Sequence, residues 1–406
     1  MSAATNKDAA GLSGRFVLAG GVMIFAIGQS LLFIIVAPLA RSIGFSDQLF
    51  GLAFSIANIT LIFASPFWGK KSDVIGRKPV FTIGLFGSAI GTLFMALTLQ
   101  AGLSGVLTTW SLFGLIVFSR GVYGLTASAI YPAASAYIAD VTQRQDRGKG
   151  MALIGGANSL GSILGPALGG GLAFLGVLVP MYAAVAISFF GGIAAIFYLL
   201  EPARHRERRA ADTRLKFSDP RLRPYMIMWA CFFVVFISLN IVTAYFVQDR
   251  LGIDEPAARI RIASLALTSM AVVITIVQGV VFQRFHVSPR TLLRLCGPAY
   301  SAGLLIIAFA YSTTVLMIGF GVIGLAFSCA TPGINGSASL AMKPHEQGAA
   351  AGYLAAANTV GAIIGPVLGT SIYQLQENAP MLFGAALFLI ISVYAMFIPE
   401  PEEHPE

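Results

Sequence analysis

The sequence predicts an all-α membrane protein of twelve transmembrane helices, arranged as two pseudo-symmetric six-helix bundles. Three observations carry that reading. Of the 406 residues, 56% are hydrophobic and only 11% charged, and the mean hydropathy of +0.80 lies far outside the range of soluble domains. Charge-free runs recur that are long enough to cross a hydrocarbon layer of roughly 30 Å as helices of about 20 residues. The second half of the chain also repeats the first.

Helix is the required form of the crossings. Strands of a membrane barrel alternate polar and apolar residues over about ten positions, whereas "FVLAGGVMIFAIG" and "AALFLIISVYAMFI" are apolar on every face. The charge-free runs place helices near residues 16–40, 48–69, 79–100, 111–139, 150–174 and 179–200. A second set follows near 224–247, 262–283, 291–311, 314–341, 347–373 and 379–398. An even number of crossings puts both ends on one side. Residues 1–15 lack the apolar core of a cleavable signal, so the first crossing is expected to stay as an anchor.

Orientation follows from lysine and arginine, which accumulate in cytoplasmic loops. With both termini in the cytoplasm, 21 of the 26 basic residues are cytoplasmic, Arg41, Arg250, Arg259 and Arg261 are outside, and Arg120 alone lies within the membrane. The expected location is the plasma (inner) membrane, with lipids as neighbours and the chain acting as a monomer. The net charge of +8 is thereby explained as topology, and no nucleic-acid partner is expected.

Residues 201–223 form the longest polar segment and read as a cytoplasmic linker between an N-terminal bundle, 1–200, and a C-terminal bundle, 224–406. At an offset of 200 residues, "RGVYGLTASAIYP" meets "FGVIGLAFSCATP", and "DRGKGMALIGGANSLGSILGPALGG" meets "EQGAAAGYLAAANTVGAIIGPVLGT", without a gap. Composition alone does not place Asn-x-x-Gly-x-x-x-Gly-Pro-x-x-Gly in register twice. Duplicated halves of this kind mark transporters that bind substrate near the bilayer midplane and move one half against the other.

Several chemistries have no residues to carry them. Cys231, Cys296 and Cys329 fall inside predicted helices without metal-ligand spacing, so neither a zinc site nor a disulfide framework is expected. No phosphate-binding loop, haem-attachment motif or nucleophile elbow is present. The chain is therefore not expected to be an enzyme, to hold a cofactor or metal, or to have catalytic residues, and any energy must come from gradients.

Three motifs resemble those of the major facilitator superfamily, and helix number, central linker and repeat extend the likeness over nearly the whole chain. The first is "GKKSDVIGRK", residues 69–78, which resembles that family's G-x-x-x-D-[RK]-x-G-R-[RK] signature after the second crossing. Gly69 and Gly76 allow a tight turn there. By the resemblance, Asp73, Arg77 and Lys78 belong to a cytoplasmic gate in which the arginine reaches an acid at the inner end of the fourth helix, here Asp140. Val74 departs from the usual basic residue, and the position equivalent to Asp140 in the second half is Leu340.

The second motif is "GSILGPALGG", residues 161–170. Gly161, Gly165 and Gly169 share one helical face suited to close backbone packing, Gly170 follows them, and Pro166 frees a carbonyl. In the family this phrase is associated with drug:proton antiporters, and the preceding "AYIADVT" resembles the tetracycline-exporter branch. The third is "IVFSRGVYGL", residues 116–125, similar to the fourth-helix motif whose arginine faces the central cavity and is linked to proton coupling. Arg120 matches the arginine and Gly124 the glycine, while Tyr123 replaces the usual glutamine. Placing an arginine at mid-membrane costs at least ~2.5–3.5 kcal/mol on insertion scales, so such a residue normally marks function.

No acid is evident to balance Arg120, because all nine aspartates and nine glutamates fall in loops or at helix ends. Asp249 is the remaining candidate proton site, although an exposed end charge beside Arg250 is the simpler reading. Gln29, Asn58, Tyr123 and Asn240 are expected cavity contacts, and Asn158 and Asn358 structural ones. The leading expectation is a secondary-active exporter of small amphipathic organic compounds, coupled to protons and working by alternating access. The alternatives are an organic-anion or neutral-nutrient carrier, symporter or uniporter, in which Arg120 holds the substrate anion, and, more remotely, a non-transporting receptor.

Overall fold

The computed structural model describes residues 2–142, 147–202, 215–285, 287–343 and 346–398, and among these every regular element is helical. Two compact units divide the chain, Met1–Arg208 and Arg209–Glu406. Much of the expected linker, 203–214, lies outside the described residues, as does the acidic C-terminal end, 399–406. Eleven of the described helices are long and apolar enough to cross a membrane. The expected fifth crossing is the glycine-rich helix and falls outside that set.

The first unit contains α1 (Ser2–Ser42), α2 (Asp47–Ile75), α3 (Arg77–Leu103), α4 (Thr109–Ala127), α5 (Ile130–Val141), α6 (Arg147–Leu172) and α7 (Val179–Tyr198). The second contains α8 (Arg223–Leu251), α9 (Pro256–Ile276), a π-helical turn (Val277–Val281), α10 (Phe282–Arg284), α11 (Pro289–Ala308), α12 (Thr313–Leu340), α13 (Gln347–Tyr373) and α14 (Ala379–Met396). Each unit packs its helices in the same pairs. In the first, α1 lies on α6, α4 on both α2 and α3, and α3 on α7; in the second, α8 lies on α13, α12 on both α9 and α11, and α11 on α14. The sequence repeat is thus a repeat of packing.

Glycines decide how closely these pairs approach. A Cβ at Gly161 would stand 2.7 Å from the Ala26 Cβ, and one at Gly165 would stand 2.7 Å from the Ile27 carbonyl oxygen. On the repeat, a Cβ at Gly365 would meet the Val234 carbonyl oxygen at 2.9 Å and one at Gly369 the Ser238 Cβ at 2.8 Å. The seam is also hydrogen-bonded, since Ser238 Oγ donates to the Gly365 carbonyl at 2.7 Å. In the first unit Gly169 is buried beside its partners and Gly170 half-buried. Small residues on such faces replace the hydrophobic drive that helices lack when lipid is the alternative neighbour.

Among the boundaries that differ from expectation, two have a plain cause. The fourth crossing is a broken rod, not one helix over 111–139: Ala129 N donates to the Thr126 carbonyl, three residues back, and α5 begins at Ile130. Pro132, four residues after Ser128, has no N–H to continue the ladder. The Leu125 carbonyl released by the break accepts a hydrogen bond from Trp68 Nε1 at 2.5 Å. The eighth crossing starts at Pro256, earlier than residue 262, because proline suits the first turn of a helix. Arg259, expected in an outer loop, is consequently inside α9 and only 2% exposed, where its Nη1 donates to Gln248 Oε1.

Gly165→Val should separate α1 from α6 and cost about 1–3 kcal/mol, read as a lower apparent melting temperature of detergent-purified protein. Gly155→Ala on the same helix, where a Cβ meets nothing within 4 Å, should leave that temperature unchanged or slightly raised.

Candidate functional site

The turn between α2 and α3 gathers four of the predicted gate residues. Gly76 sits at φ +113°, a region that glycine enters without strain. The Arg77 guanidinium then turns back over its own turn. Nη1 reaches Asp73 Oδ1 at 2.5 Å and donates to Ser72 Oγ at 2.7 Å, while Nε donates to Asp140 Oδ2 at 2.8 Å. Asp140, at the end of α5, and Arg77 are largely shielded from solvent, with side chains 20% and 15% exposed, whereas the Asp73 side chain is 61% exposed. The Arg77–Asp140 pair is therefore the stronger of the two contacts. A Cβ at Gly69 would meet only Pro132, at 3.9 Å, and Val74 is exposed.

Glu201, just after α7, completes this cluster. Its Oε1 accepts from Arg77 N at 2.7 Å and its Oε2 from Lys78 N at 2.9 Å, so the carboxylate caps the otherwise unsatisfied first N–H groups of α3 at the favourable end of the helix dipole. Lys78 contributes its backbone here. A Cβ at residue 76 would collide with the same carboxylate, at 2.6 Å from Oε1, which is a second reason for glycine. Glu201 was not singled out from sequence, because its partners are backbone groups more than a hundred residues away.

Arg120 lies on α4 and is 4% exposed. Its Cζ stands 4.9 Å from the centroid of the Phe54 ring on α2 and 4.7 Å from that of Tyr123, one turn along its own helix. Nε and Nη1 are buried without a hydrogen-bond acceptor. The Tyr123 hydroxyl approaches Ser88 without reaching hydrogen-bonding geometry. Beyond Tyr123 the aromatic surface continues: Phe25 stacks on it at 6.1 Å and meets Tyr131 edge-on at 5.5 Å, and the Tyr131 hydroxyl donates to Asn158 Oδ1. That last bond ties α5 to α6, a structural use of Asn158.

The other predicted contacts are more dispersed. Gln29 is half-buried with Oε1 accepting no hydrogen bond, so it does not neutralise Arg120. Asn58 is buried on α2. Asn240 turns back on its own helix, Nδ2 donating to the Phe236 carbonyl at 2.7 Å. Asp249 is exposed as a residue, yet its Oδ2 accepts from the Tyr373 hydroxyl at 2.8 Å, and Arg250 packs over the Tyr311 ring at 4.1 Å. The expected exposed end charge is thus also a carboxylate tied to α13.

In the second unit, the segment before α8 is fastened to the start of α13. Arg221 Nη1 donates to Glu346 Oε2 at 3.1 Å and Nη2 to Asp219 Oδ2 at 2.9 Å, and the Tyr353 hydroxyl donates to the Leu215 carbonyl at 3.1 Å. Hydrogen bonding from the Arg221 side chain holds the Asp219 carboxyl below the usual carboxylate range. A groove of about 450 Å³ near α10 and α11, lined by Phe282, Phe285, Val287, Ser288, Leu292 and Pro332, includes none of the predicted site residues.

A family model described as Major Facilitator Superfamily matches residues 18–309 and 262–406. The chain is 26% identical to Multidrug resistance protein 2 of Bacillus subtilis (strain 168), over 92% of each chain. It is also 26% identical to the class C tetracycline resistance protein of Escherichia coli, over 92% of this chain and 94% of that one. Among solved structures, the human organic anion transporter MFSD10 (TETRAN) superposes with a TM-score of 0.66 at 21% identity, covering 95% of this chain and 99% of the other; this likeness shows the fold.

Asp140→Asn should lower stability by about 1–2 kcal/mol, since it strips a shielded guanidinium of a charged acceptor, whereas Asp73→Asn should cost under about 0.5 kcal/mol; apparent melting temperatures in detergent compare the two. For Asp219 the lowered native value gives the sign of the pH dependence. Its contribution is present above the unfolded value of about 4 and is lost as pH falls through the lowered native value. The melting temperature of the native protein should exceed that of Asp219→Asn between pH 5 and 7, and the gap should close below pH 4.

Proposed function

The chain belongs to the Major Facilitator Superfamily, and from that membership we propose that it is a secondary-active exporter of small amphipathic organic compounds, driven by protons and working by alternating access of its two six-helix repeats. Full-length similarity to resistance proteins of two different kinds, one multidrug and one tetracycline, is the observation that carries the reading. The Gly-Pro phrase on α6 and the "AYIADVT" stretch before it support the same branch. The protein is read as a carrier and not an enzyme, a monomer in the plasma (inner) membrane with both termini cytoplasmic and lipid on its outer faces.

In this reading the α2–α3 turn is a gate. Arg77 links Asp73 to Asp140 in the same half, so a change at the turn is felt at the end of α5, on the crossing that carries Arg120. Gly69, Gly76 and Lys78 shape and flank that turn. Arg120, Tyr123, Gln29, Asn58 and Asn240 are assigned to substrate contact or coupling. Asp249, held by Tyr373, is assigned as the protonatable group. The glycines at 161, 165, 169 and 170 with Pro166 supply a closely packed helix pair that moves as one piece.

Everted membrane vesicles containing the protein should accumulate a fluorescent amphipathic dye when a pH gradient is imposed, and nigericin should abolish the accumulation. Asp73→Asn should reduce the initial rate several-fold with dye affinity unchanged within twofold. Uptake equal to that of vesicles lacking the protein would remove the export reading, and uptake that survives nigericin would remove proton coupling alone.

A further inference from the structure

We propose that Arg120 is the anchor of a subsite for an organic monocarboxylate, so that the compounds bound most tightly carry one acidic group beside an aromatic or similarly flat apolar body. The proposal rests on the transport reading and names the substrate class of the same site. Its starting point is a charge that cannot be discharged: guanidinium keeps its proton under any physiological condition, and this one is 4% exposed with Nε and Nη1 lacking acceptors.

The protein does not supply the missing anion from the first unit. Each carboxylate there whose side chain is described is committed elsewhere: Asp47 to Arg41 at 2.5 Å, Asp73 and Asp140 to Arg77, and Glu201 to the first N–H groups of α3. The position matching Arg120 in the second half is Phe320, buried in its own unit, so the cation serves no packing role that the repeat requires.

Geometry then selects the kind of anion. Phe54 and Tyr123 lie close to the guanidinium carbon, and aromatic rings so placed attract the cation. They are not hydrogen-bond acceptors for Nε and Nη1, whose N–H groups lie in the guanidinium plane. A carboxylate is planar and matches, with two parallel hydrogen bonds, the donor fork that either of these nitrogens forms with Nη2. Phe25, half-buried, and Tyr131, 36% exposed, continue the aromatic surface from Tyr123, which gives an apolar body a surface to pack on. The site thus reads an acid at one end and a flat body at the other.

The test uses the purified full chain in detergent and three probes of nearly equal shape: 2-naphthoate, neutral 2-naphthamide and cationic 2-naphthylmethylammonium, with affinities from isothermal titration. Naphthoate should bind at least tenfold more tightly than the amide, and the ammonium more weakly than either. Arg120→Gln should bring acid and amide within twofold of each other by weakening the acid, and Arg120→Lys should keep part of the preference. Equal binding of acid and amide by the native protein would overturn the proposal, as would an Arg120→Gln variant that weakens both probes alike. Should that variant fail to fold, the three-probe series on the native protein decides alone. Because binding is read without flux, an acid preference without dye transport would refute only the export reading, and dye transport without an acid preference only this one.

Discussion

Inside a hydrocarbon layer no water is present to satisfy a backbone polar group, and no hydrophobic gain remains from pressing two apolar helices together. Everything in this chain follows from meeting both conditions at once. The first makes each crossing a helix; the second makes glycine the residue that decides which helices touch. Arg120 owes its surroundings to such contacts. A Cβ at Gly124, one turn along α4, would run into Thr60 on α2, and one at Gly91 on α3 would stand 2.8 Å from the Tyr123 Cα. With α2 drawn in this far, the centroid of the Phe54 ring comes within 5 Å of the guanidinium carbon, as does that of Tyr123 from α4 itself.

The two units share that scaffold and differ in what is mounted on it. Gly124 and Gly324 both press against the second helix of their repeat, and Gly165 and Gly365 both press against the first. Against this common frame, arginine at 120 faces phenylalanine at 320, and the rod that breaks after Ala127 in the first unit runs unbroken from Thr313 to Leu340 in the second. Proline occurs at the same place in both, 132 and 332, so proline alone does not break the helix. The first unit adds an acceptor for Trp68 where the ladder opens.

Features whose cause is local or periodic were legible in the sequence. Charge-free length marks the crossings, and the resemblance of the 69–78 motif to the family's gate implies the pairing of Arg77 with Asp140, 63 residues apart, which the fold joins at 2.8 Å. The isolation of Arg120 was likewise visible, since an arginine alone in a long apolar run has few places to go. What escaped were partners without a pattern of their own. Glu201 meets backbone N–H groups, which every residue has. Phe54 is one phenylalanine among 30. Arg259 looked like a loop charge because hydropathy marks where apolarity begins, not where a proline starts the helix.

Glu201 also bears on the order in which the first half is assembled. The opening N–H groups of α3 are made early in synthesis, yet the carboxylate that satisfies two of them is the residue that follows the last crossing of the same unit, 123 and 124 positions later. Until the chain has been threaded that far, the start of α3 has only its own turn to rely on. The contact therefore acts as a clasp fastened last, and it fastens only around a complete set of six crossings. A first repeat closed in this way has an end point of its own, one whose closing contact needs no residue of the second.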